Sequence, residues 1–200
     1  MLNVLIADDN IYYVKNLVNF VISKNSNIKI VNIASTGLEV LRAIQENPNI
    51  DLMLLDLKMP ELNGIKTLDK LYDMNLSHYP NILVISGENN LIKKIINHPL
   101  VTDFVNKSDD MITVYNKLLN YEKQLKFSNS KEELSRKISS ELIYIGYNPS
   151  HLGTQYIKEC ILEIYEKNCS EYSQNLENYL YKQIAFSHGK SFQNVKSNII

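Results

Sequence analysis

The run Leu52-Met53-Leu54-Leu55-Asp56-Leu57-Lys58-Met59-Pro60-Glu61-Leu62-Asn63-Gly64 places a single carboxylate directly after four apolar residues and before a turn-rich stretch. A short apolar run of this kind reads as a strand buried on both faces, as in a parallel sheet covered by helices on each side. Asp56 then stands at the carboxyl end of that strand, the edge where open parallel sheets gather their ligands. Working outward, three further apolar runs end in polar groups. Val4-Leu5-Ile6-Ala7 leads into Asp8 and Asp9, Ile82-Leu83-Val84-Ile85 into Ser86, and Phe104-Val105-Asn106 into Lys107. An acid pair, an acid, a hydroxyl and a cation at four strand ends, in chain order, predict a magnesium site beside a phosphate-accepting aspartate.

Strands are predicted over 3–7, 28–34, 51–55, 82–86 and 102–106, with amphipathic helices over 10–23, 36–46, 64–74 and 89–97. A fifth helix is predicted from Asp109 to Lys126, with Ser108 as its N-cap. This alternation implies right-handed crossovers and a parallel sheet covered on both faces. After Phe127 the pattern changes to helices alone. Residues 127–131 read as a linker between a domain over 1–126 and an all-helical domain over 132–200. Ser130 and Glu133 have the spacing of a capping box, and Gly146 stands where a left-handed residue closes the helix that follows. Pro149 and Gly153 precede a helix over 154–167, with Tyr156, Cys160, Ile161 and Ile164 on its apolar face. A further helix is predicted over 176–187. His188-Gly189-Lys190 then turns the chain, and Ser191 caps a last helix. That helix has no stop signal before Ile200, which reads as a truncation within it.

Composition narrows the field. With 200 residues, a formal net charge of −1 and 44% apolar residues, the chain has the balance of one or two ordinary globular domains. Bulk charge favours neither nucleic acid nor an anionic membrane. No apolar run is long enough to span a bilayer, and Met1 enters a strand without the basic flank of a signal peptide, so a cytoplasmic protein with no membrane contact is expected. Cys160 and Cys169 read as reduced thiols, and no His/Cys cluster has zinc spacing. His78, His98, His151 and His188 lie in different segments with no convergent ligand spacing. Tyr12 and Tyr13, beside the acid pair, read as packing residues, with a contact to the pocket rim as the alternative, and Tyr156, Tyr165, Tyr172, Tyr179 and Tyr181 read as core or groove positions of small helices.

The strand-end residues divide the work of phosphoryl transfer. Asp8, Asp9 and Asp56 offer hard oxygen donors, and Mg²⁺ favours a few carboxylates together with waters and a phosphate oxygen. Asp56 would be the nucleophile, because a carboxylate can form an acyl phosphate. Lys107 would place a point charge on the phosphoryl oxygens, and Ser86 would donate a hydrogen bond to another of them.

These residues resemble the receiver domain of bacterial response regulators over roughly Met1–Leu119. The resemblance rests on Asp8 and Asp9, on Asp56-x-x-Met59-Pro60-x-x-Asn63-Gly64, on Ser86 and on Lys107. It implies a five-stranded flavodoxin-like α/β fold and phosphorylation of Asp56 by a histidine kinase or phosphotransfer protein with Mg²⁺ as cofactor. It also implies that the backbone carbonyl of Lys58 completes the metal shell and that Phe104 switches rotamer with Ser86. The family usually has Pro after the lysine, often in a cis peptide. Ser108 stands there, so a trans bond or a strained one is expected.

The second half resembles the effector of the sporulation master regulator, stage zero sporulation protein A. It does so through Ile143-x-Ile145-Gly146, His151-Leu152-Gly153-x-Gln155-Tyr156-Ile157-x-Glu159-Cys160-Ile161, Leu180-Tyr181-x-x-Ile184-Ala185 and Asn194-Val195. That family's effector is all-helical, with a helix-turn-helix whose recognition helix enters the major groove. The resemblance puts Ser191, Gln193, Asn194, Lys196 and Ser197 against promoter DNA and implies a phosphorylation-dependent homodimer controlling transcription. Charge runs the other way. Residues 132–200 carry seven basic against eight acidic residues, and the expected recognition helix has no arginine.

Two alternatives stay open at this stage. A phosphorylated protein-interaction module or phosphate sink with a degenerate DNA motif suits the near-neutral second half. A phosphohydrolase with an aspartate nucleophile commonly has a second Asp two residues on, where this chain has Lys58, so a phosphoryl acceptor rather than a turnover enzyme is expected.

Overall fold

The computed structural model describes residues 1–24, 26–167 and 175–199, with the side chain of Asn89 excepted. Cys169, Tyr172 and Ile200, which figured in the sequence reading, lie outside the described residues. The described chain packs as two units, Met1–Lys126 and Phe127–Ile200.

The first unit is built on five strands: β1 (Leu2–Ala7), β2 (Ile28–Ala34), β3 (Leu52–Leu55), β4 (Asn81–Ser86) and β5 (Val101–Asn106). They form one parallel sheet in the order β2-β1-β3-β4-β5. Between them lie α1 (Ile11–Ser23), α2 (Gly37–Glu46), α3 (Gly64–Asp73) and α4 (Asn89–Ile95). The period-2 geometry of a strand explains why the central strands are apolar throughout. On β1, Leu5 and Ala7 join Met53, Leu55, Ile82 and Val84 in a core under α2, α3 and α4. Val4 and Ile6 point the other way and join Leu52, Leu54, Leu83 and Ile85 with Val14, Leu17 and Val21 of α1. The chain order reverses direction across the sheet between β1 and β3, the crevice where such sheets bind ligands. Asp8 and Asp56 flank that crevice.

Local chemistry sets the helix starts. Asn10 accepts the N–H groups of Tyr12 and Tyr13, Thr36 that of Glu39, and Asn63 that of Lys66. Gly64 is required for packing: a Cβ there would lie 2.3 Å from the Asp56 carbonyl oxygen, so only glycine lets α3 close against the end of β3.

Three expectations are corrected in the fifth helix. α5 runs unbroken from Met111 to Tyr144, so residues 127–131 are helical. Ser130 and Glu133 lie inside that helix and cap nothing. Ser108 is not the N-cap: its hydroxyl donates to Asn106 Oδ1, while Asp110 accepts both the N–H and the hydroxyl of Thr113. Valine, leucine and aromatic residues at helical spacing (Val114, Tyr115, Leu118) dock the first part of α5 on the sheet. No peptide bond among the described residues is cis, so the Lys107–Ser108 bond is trans.

In the second unit, α6 (Leu152–Lys167), α7 (Leu176–Ser187) and α8 (Phe192–Ile199) follow α5. Gly146 takes a φ of 96° where α5 closes, and the N–H of Tyr147 returns to the Leu142 carbonyl. Gly153 lies within α6 rather than before it. A Cβ there would meet the Asn198 carbonyl oxygen at 1.8 Å, so α8 is seated against the first turn of α6. Tyr156, Cys160, Leu180, Ile184, Ala185 and Val195 form the core of the three helices. Ile161 is partly exposed and outside it, while Ile164 packs at its edge. The turn after α7 has Gly189 at a φ of 59°, and Ser191 accepts the N–H of Asn194.

Candidate functional site

The carboxyl ends of β1 and β3 bring Asp8, Asp9 and Asp56 together, with one carboxylate oxygen from each lying within 4.8 Å of the other two. Asp8 and Asp56 are buried and Asp9 is exposed. Backbone geometry fixes the pair: the Asp56 N–H donates to the Ala7 carbonyl at 2.8 Å, tying the two strand ends. The Asp8 carboxylate accepts the Asn10 N–H at 2.9 Å, which joins the acid pair to the start of α1.

Lys107 enters from the end of β5. Its Nζ lies 2.6 Å from Asp56 Oδ2 and 2.7 Å from Asp8 Oδ2. Burial works to lower the lysine's pKa, but hydrogen bonds to Asp56 and Asp8 and their charges carry it above the ordinary value. One ammonium shared by two buried carboxylates leaves a deficit. Burial pushes the Asp8 carboxyl above its ordinary range, more than the hydrogen bonds from Lys107 and the Asn10 N–H pull it down. The donor set fits a hard divalent ion: three carboxylates converging, two of them buried.

Ser86 is buried at the end of β4, and its Oγ accepts the Glu88 N–H at 3.2 Å. The Lys107 N–H donates to the Ser86 carbonyl at 3.1 Å, so the hydroxyl and the lysine leave adjacent strands side by side. Phe104, on β5, is 44% exposed rather than buried. The Lys58 side chain points outward and pairs with Glu88 at 3.0 Å. Tyr13, for which the sequence favours packing over a contact with the pocket rim, has its ring facing the site, with Lys107 Nζ 5.3 Å from the ring centroid. Burial, helped by the charges of Asp8, Asp56 and Asp109, pushes its phenol up to about 12. A tyrosine four residues past Asp9 suits a helix core as well as the pocket rim, so its spacing alone does not decide between them.

The five residues expected to face DNA all lie on the turn after α7 and on α8. Ser191, Gln193, Asn194 and Ser197 are exposed on the last turn and helix. Lys196 is half-buried, with Glu177 at 3.9 Å.

A crevice at the reversal of a parallel β2-β1-β3-β4-β5 sheet, holding three acids and a lysine, is the arrangement of a receiver domain. The chain belongs to the response regulator receiver domain family, which matches residues 4–118. Receiver domains bind Mg²⁺ at an acidic pocket, which the Asp8, Asp9 and Asp56 cluster supplies here, and they are generally phosphoryl acceptors served by a histidine kinase or phosphotransfer protein. A Bacillus subtilis transcriptional regulatory protein, YhcZ, is 37% identical over 88 residues, or 43% of this chain and 38% of that protein. A protein-glutamate methylesterase/protein-glutamine glutaminase of Methanospirillum hungatei is 36% identical over 87 residues, or 44% of this chain and 24% of that protein. The chain thus spans well under half the length of these relatives. Among solved structures, the CheX-CheY-BeF3-Mg+2 complex of Borrelia burgdorferi is similar, with a TM-score of 0.51 and 29% identity over 60% of this chain and 87% of that one. No helix among the described residues is long and apolar enough to cross a membrane.

Proposed function

We propose that the chain is a two-component response regulator that accepts a phosphoryl group on Asp56 and passes the signal to its helical unit. The observation that carries this reading is the convergence of Asp8, Asp9 and Asp56 within 4.8 Å with Lys107 2.6 Å from Asp56. A magnesium ion bound to these acids and to the Lys58 carbonyl would neutralise charge developing on the transferred group. Asp56 attacks phosphorus as a carboxylate and the donor's leaving group departs with its electron pair, giving an acyl phosphate. Lys107 exchanges its bond to Asp56 for one to a phosphoryl oxygen. Ser86 gives up the Glu88 N–H and turns its own hydroxyl to the phosphoryl group, and Phe104 follows inward. Added charge of roughly −1.5 to −2 drives these movements.

In this reading the surface of α4, β5 and α5 then forms a homodimer, and the helical unit binds promoter DNA in the cytoplasm as a sporulation-type regulator. Ser191, Gln193, Asn194, Lys196 and Ser197 are the DNA-facing residues. The geometry of α7, the His188–Ser191 turn and α8 supports a helix-turn-helix. One observation favours the rival reading, an interaction module without DNA contact: Lys196, one of the few cations available to a phosphate there, stands near Glu177.

Acetyl phosphate with magnesium, followed by intact mass, tests the first step. An adduct of one phosphoryl group, labile to hydroxylamine and absent in Asp56→Asn, is expected, and no adduct would sink the reading. A gel shift with promoter fragments at two salt concentrations tests the second, and no salt-dependent shift in either phosphorylation state favours the interaction module.

A further inference from the structure

Tyr13 is the one ring that faces the cation of the site among the described residues, and phosphoryl transfer as described above gives it no part. We propose that Tyr13 is a positioning residue that holds the Lys107 ammonium within reach of the phosphoryl group when the carboxylates are claimed by a metal ion. The inference rests on the reading of Asp56 as the phosphoryl acceptor.

The geometry begins at the backbone. Asn10 accepts the Tyr12 and Tyr13 N–H groups, each at 3.1 Å, and its own N–H donates to Asp8. The first turn of α1 is therefore fastened to the acid pair, and Tyr13 is fixed over the pocket. Its ring packs at the edge of the core that holds α1 on the sheet. From there it presents its face to Lys107 Nζ at 5.3 Å, within the range in which a ring quadrupole attracts an ammonium.

Lys107 has three kinds of anchor. Two are carboxylates, Asp8 and Asp56, and both belong to the cluster that fits a divalent ion. A metal ion needs those same oxygens, so it weakens both anchors together. The ring is the third. It carries no charge and no strong donor atom for Mg²⁺, so metal binding leaves it in place. With the ring present, the ammonium stays poised where Asp56 gains its phosphoryl oxygens. Without it, a flexible four-carbon stem gains freedom that must be lost again in the transition state.

The test uses the full chain and the substitutions Tyr13→Phe, Tyr13→Leu and Tyr13→Met. Lysine carrying ¹³C at the ε position gives the Lys107 methylene signal, assigned by its loss in Lys107→Arg. The ring should move that signal upfield in the wild type and in Tyr13→Phe, and Tyr13→Leu and Tyr13→Met should return it towards the other lysines. Phosphorylation by acetyl phosphate in saturating magnesium should slow about five- to tenfold in Tyr13→Leu and Tyr13→Met. It should stay within about twofold of wild type in Tyr13→Phe, which keeps the ring face. Tyr13→Met covers the case in which Tyr13→Leu fails to fold. A Lys107 signal common to all variants, or wild-type rates without the ring, would overturn the proposal. A wild-type chain that never accepts phosphoryl would instead overturn the function assigned to Asp56, while the methylene signal still reports the ring contact.

Discussion

Replacing Lys107 by alanine leaves Asp8 and Asp56, each 5% exposed, without the cation they share. Removing one partner of a buried pair costs about 3–5 kcal/mol. The Lys107 side chain is 19% exposed, so water screens part of the interaction and the loss falls towards about 2–3 kcal/mol in metal-free buffer. The same substitution removes the group that competes with a divalent ion for Asp8 and Asp56. Magnesium at about a hundred times its dissociation constant stabilises a native state by about 2.7 kcal/mol. That gain grows in the variant, because its dissociation constant falls. The stability deficit should therefore shrink when magnesium replaces EDTA. Hydrogen exchange at the β1 and β3 amides reads the opening energy of this unit alone. A deficit of the same size in EDTA and in magnesium would refute the claim that lysine and metal share the same oxygens.

Gly64→Ala drives a Cβ to 2.3 Å from the Asp56 carbonyl oxygen, so it should cost about 1–3 kcal/mol and impair phosphorylation, whereas Gly87→Ala has nothing within 4 Å and should be near neutral in the same exchange experiment. Burial, with Glu159 and Glu163 nearby, pushes the Cys160 thiol from an ordinary 9.0 to about 11. Its thiolate fraction at pH 8 is then about a hundredfold lower than that of a free thiol, and peptide mapping after iodoacetamide should find Cys160 almost unmodified at pH 8 but reacting as pH rises towards 11. Val195 is fully buried, so Val195→Ala should lower the stability of the helical unit by about 1.5–2.5 kcal/mol and leave Asp56 phosphorylation unchanged, read by amide exchange in α6 and α7 and by intact mass.

The middle of the sheet was legible because β1, β3 and β4 are built on short apolar runs that each end at a polar group. Strand limits read from sequence fall within one residue of those observed, as with 82–86 against Asn81–Ser86. The convergence of Asp8, Asp9 and Asp56 followed from topology: β1 and β3 are neighbours, so residues just past their ends must meet. What failed were the signals with a second local explanation. Ser-Asn-Ser over 128–130 reads as a loop by composition, yet helix propensity differs by under about 0.7 kcal/mol per residue among such side chains, and long helices absorb them. Ser108 and Asp110 are both competent caps two positions apart, and only the observed bonds decide between them. The contact of Tyr13 with Lys107 was not legible because it depends on where a side chain from the far end of β5 arrives, which no local pattern encodes.

On the proposed reading, the site's charge arrangement would let one aspartate act as a switch. Asp8 and Asp56 are buried behind a single ammonium, and Asp9 adds a further acid at the rim. Each state of the pocket is thus short of positive charge unless a divalent ion is present. A divalent ion held by Asp8, Asp9 and Asp56 would supply that charge and loosen the hold of Asp8 and Asp56 on Lys107. A phosphoryl group on Asp56 would then offer Lys107 new anionic acceptors and give Ser86 a charge-assisted bond in place of the neutral one it accepts from the Glu88 N–H, and charge-assisted bonds are roughly twice as strong as neutral ones. Ser86 is held by the Glu88 N–H and the Ser86 carbonyl by the Lys107 N–H, so a displacement at the pocket is coupled to the start of α4 and the end of β5. A few kcal/mol of differential bonding at the aspartate is enough to shift a two-state equilibrium by a factor of hundreds to thousands. On the proposed reading the metal would free the lysine, the phosphoryl group would recapture it at a new position, and the two strand ends that carry Ser86 and Lys107 would follow.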